Sequence, residues 1–90
     1  MNYECDPVKR ERNLKKHGID FDEAISCLLD PMALVIEDEN SDDEERWILL
    51  GMNKKTQLLT VIYTMRGEVP RLISARLATK KEEKTYAQGI

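Results

Sequence analysis

Apolar residues recur at two different spacings along the chain, and the change of spacing marks its organisation. Phe21, Ala24, Ile25 and Leu28 stand at i, i+3, i+4 and i+7, the stripe of one buried helical face. Asp20 supplies a cap before them, Glu23 completes a capping-box-like pattern, and Asp30-Pro31 closes the helix. An earlier helix opens at Asp6-Pro7, runs to about His17 and stops at Gly18. Its main apolar positions are only Val8 and Leu14, so its packing is loose or its partner is polar. Asn2–Cys5 reads as a short edge strand. From Ala33 onward the spacing becomes two. Ala33–Glu37, Arg46–Met52, Gln57–Arg66 and Arg71–Leu77 are four strands rich in Ile, Leu, Val, Thr and Tyr. Residues 53–56 and 67–70 are turns, and a last helix begins near Thr79, with Glu82 three residues on. The expected architecture is a single α+β domain over residues 1–90, β-α-α-β-β-β-β-α. It is read as an antiparallel meander with helices packed on one face.

Alternation within the last hairpin sorts its side chains. Leu59, Val61, Tyr63 and Met65 are core-like; Thr64 and Arg66 point the other way. Pairing Thr64 with Ser74 sets Arg66 opposite Leu72 and Arg76 opposite Ile62. Thr64, Arg66, Ser74 and Arg76 then share one face. Two guanidinium groups beside two hydroxyls make a shallow anion-binding patch. For each residue a plainer role stands beside this one. Arg76 would pair with Glu82 or Glu45 as a clamp between sheet and helix, Arg66 would be a hairpin-end charge, and the hydroxyls would be polar filler.

Charge sharpens the picture. The net charge of −3 hides a split: residues 1–45 carry 5 Lys/Arg and 14 Asp/Glu, residues 46–90 carry 9 and 3. Much of the acid lies in EDENSDDEE, residues 37–45. An acidic half and a basic half allow anion binding despite the overall sign. His17, the only histidine, ends the first helix beside Lys16. Imidazole exchanges a proton near neutrality, although a water-exposed helix-end histidine is the simpler reading. One histidine with distant cysteines gives no metal-ligand set, and the acidic tract lacks the glycine and spacing of a calcium loop. There is no phosphate loop, dinucleotide fingerprint or Ser-His-Asp spacing, so no cofactor is expected. Cys5 and Cys27 read as reduced thiols. No apolar run is long enough for a membrane span and none resembles a signal peptide, which points to the cytoplasm.

Taken together in order and spacing, a set of short motifs resembles the BrnT family of bacterial type II toxins. They are DPVK at 6–9, Asn13, KHGI at 16–19, FDEA at 21–24, EER at 44–46 and Gly51. LLTVIYTMR at 58–66, RLISAR at 71–76, Ala78, Glu82 and Tyr86 complete the set. The resemblance implies a RelE-like fold and a small, metal-independent ribonuclease. It also implies a BrnA-type antitoxin as partner, in a toxin–antitoxin heterotetramer that touches operator DNA only through the antitoxin. It assigns Arg46, Arg66 and Arg76 to the scissile phosphate and its developing charge. Arginine cannot serve as a base, so proton transfer falls to His17, with Glu45 or Glu82 as substitutes. Lys16, Thr64 and Ser74 would contact RNA, and Tyr86 would either stack on a base or pack on the sheet. A non-catalytic module that grips an antitoxin is the rival reading, since one arginine face serves both.

Overall fold

The structure, a computed structural model, describes residues 1–40 and 44–89. Its elements are β1 (Glu4–Cys5), α1 (Pro7–His17), α2 (Phe21–Ala24), a 3-10 segment (Ile25–Leu29), β2 (Leu34–Glu37), β3 (Trp47–Met52), β4 (Leu58–Arg66), β5 (Val69–Leu77) and α3 (Lys80–Gln88). The five strands form one sheet in the order β1-β5-β4-β3-β2. The chain is thus α+β. The expected all-antiparallel sheet needs correction, because β1 runs parallel to β5 through Glu4–Arg71 and Cys5–Leu72, which makes the sheet mixed.

Helix α1 starts and stops as its sequence dictates. The Asp6 side chain accepts from the Val8 N–H, and Gly18, at φ 71°, donates its N–H to the Leu14 carbonyl. Asp20 departs from expectation. It makes no side-chain cap; its carboxylate is forked by Arg10 at 2.6 and 2.9 Å. The next stretch also differs. After Ala24 the chain tightens to a 3-10 turn, so Phe21, Ala24 and Cys27, at spacing three, are fully buried. The tight turn brings the Cys27 carbonyl against β3. A Cβ on Gly51 would lie 3.0 Å from that oxygen and 2.9 Å from Leu49 Cδ2, so glycine is needed there.

The core lies between α1, α2 and the 3-10 segment on one side and Leu49, Leu59, Val61, Leu72 and Ala75 of the sheet on the other. Helix α3 packs on the opposite face, which corrects the expectation that all helices share one face. It opens with a full capping box between Thr79 and Glu82. α3 buries no residue completely and leaves much of that second face open.

Two polar side chains hold the parts in place. Asn13, 6% exposed, treats the backbone of Ala75 as a neighbouring strand would. It accepts from the Ala75 N–H at 3.0 Å and donates to the Ala75 carbonyl at 2.8 Å and the Ile19 carbonyl at 2.9 Å. Asp30 accepts from the N–H groups of Met32 and Met52 and from the Tyr86 hydroxyl. Burial pushes its carboxyl up, but these three donors outweigh burial and hold it below the usual range.

Candidate nucleic-acid interface

The register of the last hairpin differs from the expected one by two residues from Ser74 onward and by three between the bulge and the turn. Ser74 pairs with Ile62 and Arg76 with Thr60. A bulge after Ile62 leaves Ile73 unpaired, and beyond it Tyr63 meets Leu72, Thr64 meets Arg71 and Arg66 meets Val69. A shift of two preserves faces, so Thr64, Arg66, Ser74 and Arg76 share the face away from the core, as alternation expects. The bulge adds Arg71 to that face. The pairing of Trp47 with Tyr63, extended by one residue, sets Arg46 opposite Thr64.

The face has two ends. At one, Arg46 stands just before β3, Arg66 ends β4 and Arg71 lies on β5. Arg66 reaches Glu44 at 3.9 Å and Arg71, half-buried, reaches Glu4 at 3.8 Å, both long pairs open to solvent and of little strength. Arg46 is half-buried and forms no ion pair among the described residues. Arg76 stands elsewhere. Its partner Thr60 lies six residues, roughly 20 Å, along β4 from Arg66. Its guanidinium forks onto Glu82 at 2.8 and 3.2 Å. That fork and the Thr79 N–H hold the Glu82 carboxyl down at about 2. Arg46, Arg66 and Arg76 therefore do not converge on one phosphate, and Arg76 is the sheet-to-helix clamp.

Two other expected contacts, Thr64 and Tyr86, have structural partners. Thr64 is buried and its hydroxyl donates to the Glu45 carbonyl at 2.5 Å. Glu45 stands exposed next to Arg46, on the β3 side of the sheet. The Tyr86 hydroxyl donates to Asp30 at 2.6 Å, a bond that with burial pushes the phenol up to about 12.

Lys16, His17 and Ser74 do come together. They line a cleft of about 260 Å³ between α1 and the bulged edge of β5, with Lys9, Arg12, Asn13 and Ile73. Positions 9, 12, 13, 16 and 17 are one helical stripe. Here the stripe facing the sheet is basic and polar, while Val8 and Leu14, 55% and 46% exposed, look outward. Among the described residues Lys9, Arg12 and Lys16 form no ion pair, and His17 is half-buried beside them. Reading the helix for apolar periodicity missed Lys9 and Arg12; the same period applied to the cations picks them out. Arg71 was missed because nothing in the sequence announces the bulge. Among the described residues no group of three or more His, Cys, Asp or Glu side chains is placed to hold a metal ion. No helix among them is long and apolar enough to cross a membrane.

The described residues form a small sheet-and-helix domain in which one cleft gathers Lys9, Arg12 and Lys16 around the only histidine. The comparisons give its family. Residues 5–82 match the family model described as ribonuclease toxin, BrnT, of type II toxin-antitoxin systems. The crystal structure of the Brucella abortus ribonuclease toxin BrnT superposes with a TM-score of 0.68 at 28% identity, covering 89% of this chain and 99% of that one. No curated protein matches. The chain belongs to the BrnT family of ribonuclease toxins, and a toxin of a type II system has an antitoxin as its partner.

Proposed function

We propose that this protein is a metal-independent endoribonuclease of RelE-like fold whose reaction centre is the cleft between α1 and β5. The observation that carries the reading is the stripe of Lys9, Arg12 and Lys16, without an ion pair among the described residues, flanking His17 and Ser74. RNA supplies its own nucleophile. The 2′-oxygen forms a bond to the adjacent phosphorus as the bond from phosphorus to the 5′-oxygen breaks, leaving a cyclic phosphate. His17 takes the 2′-hydroxyl proton, and the departing oxygen is protonated from water at the open mouth of the cleft. Arg12 and Lys16 offset charge on the non-bridging oxygens, which is where such groups lower a barrier most. Ser74 positions the phosphate. Arg71, Arg46 and Arg66 extend the cationic surface along the open face and hold neighbouring phosphates. Arg76 acts through Glu82, keeping α3 off that path, and Glu45, across the sheet from the cleft, is not needed for proton transfer.

In the cell the protein would act in the cytoplasm, arrest growth and be neutralised by a BrnA-type antitoxin in a heterotetramer, with operator DNA held by the antitoxin. The test uses purified protein and RNA in EDTA. Cleavage to a cyclic phosphate end, lost by 100-fold or more in His17→Ala and retained in Tyr86→Phe, is expected. Intact RNA at high protein concentration would leave the non-catalytic module that grips an antitoxin as the better description.

A further inference from the structure

The sheet has two edges, and they are treated differently. On the β5 side, β1 covers one part and Asn13 saturates the backbone of Ala75. On the other side β2 is the last strand and has no further strand beside it among the described residues. The bond from the Asp38 N–H to the Arg46 carbonyl sets the phase of the β2–β3 ladder. Ile36 and Leu34 then exchange bonds with β3, while Val35 and Glu37 turn N–H and C=O to the open edge. Beyond its shortness and the charge of Glu37, the strand is unprotected: no proline, lysine or bulge falls within Leu34–Glu37. Val35 is 46% exposed and Ile36 64%. Beside the edge lies an apolar groove of about 560 Å³, floored by Leu34, Ile36, Ile48 and Leu50 and walled by Glu82 and Thr85 of α3. Glu37, the last residue of β2, and Glu39 just past it are exposed and make an acidic rim at the end of this edge, where the acidic tract of residues 37–45 begins, with Glu37 on the sheet face opposite the groove.

We propose that the antitoxin docks here, laying an extended segment along β2 as a sixth strand. The chemistry fixes the occupant. Outward N–H and C=O groups call for a strand, the groove calls for alternating apolar side chains, and the acidic rim calls for lysine or arginine next to them. A second copy of this chain is a poorer fit, because it brings another acidic tract and no cations within its own β2. The proposal rests on the existence of an antitoxin and not on the cleft chemistry. It leaves the cleft of Lys16 and His17 uncovered, so inhibition would come from blocking the path of RNA over the open face.

Amide exchange by NMR of this protein alone and with its full-length cognate antitoxin tests the site. Protection of the Val35 and Glu37 amides only in the complex is expected. Val35→Pro removes an outward N–H without touching the β3 ladder, and Glu37→Lys reverses the rim charge. The first is expected to weaken antitoxin binding at least tenfold and the second severalfold, with RNA cleavage by the free protein unchanged. Wild-type affinity in Val35→Pro, protection confined to the α1 cleft, or a β2-paired dimer of the free protein would each overturn the proposal. Absence of RNA cleavage in the wild type would remove the nuclease reading while leaving this one standing.

Discussion

At the residue scale, Asn13 shows how one side chain can replace a strand. Its amide has the same donor and acceptor spacing as a peptide group, so it fits Ala75 from 62 positions away. Truncation would orphan two buried backbone groups of Ala75 and one of Ile19. Asn13→Ala is expected to destabilise the fold by about 2–4 kcal/mol, measured by urea denaturation, with Asn13→Asp only partly restoring it because the carboxylate lacks the donor. The same residue lines the cleft beside Arg12, so function is best probed elsewhere. Asn13 was legible only as a member of a motif. Neither its burial nor its partner follows from a polar residue in a polar helix.

At the scale of elements, α3 is held to the sheet by charge rather than by burial. The Arg76–Glu82 fork and the Tyr86–Asp30 bond replace the apolar face that this helix lacks. Glu82 sits at about 2 in the folded protein against an ordinary 4.5. Its contribution is therefore complete above pH 4.5 and disappears as pH falls toward 2, because the unfolded chain binds the proton first. Glu82→Gln is expected to cost about 1–3 kcal/mol at pH 7 and to flatten the loss of stability between pH 4.5 and 2. Denaturation curves at pH 7 and 3 check this. Some slope remains in the variant, since Arg10 likewise holds Asp20 down. The bulge after Ile62 acts at the same scale. It reverses the parity of β5, turning Leu72 into the core and Arg71 out to the open face.

For the whole molecule, the charge split is only partly a spatial division. Glu37 and Glu39 stand at the end of the β2 edge, apart from Lys9, Arg12 and Lys16 of the cleft, while Glu44 reaches Arg66. The cleft side is expected to bind single-stranded RNA with a salt dependence set by the number of phosphates it neutralises. Replacing Lys9, Arg12 and Lys16 together by Gln should reduce the slope of log affinity against log salt by about 0.7 for each phosphate left without its cation. Fluorescence titration across a salt series measures it, and an unchanged slope would show that RNA lies elsewhere.

What one sequence decided is local. Periodicity, caps and turn residues set the identity and order of the elements, since each depends on neighbours a few positions apart. Which faces are polar follows from alternation, and survives even a two-residue error in register. Decisions taken across the chain needed the fold. The parallel seat of β1, the bulge, the pairing of Arg76 with Glu82 instead of phosphate, and the meeting of α1 with Ser74 each join residues with no local link. Their energies arise only once the packed core has brought them together, which is why the cations that were prominent in the strands are not the ones that gather around His17.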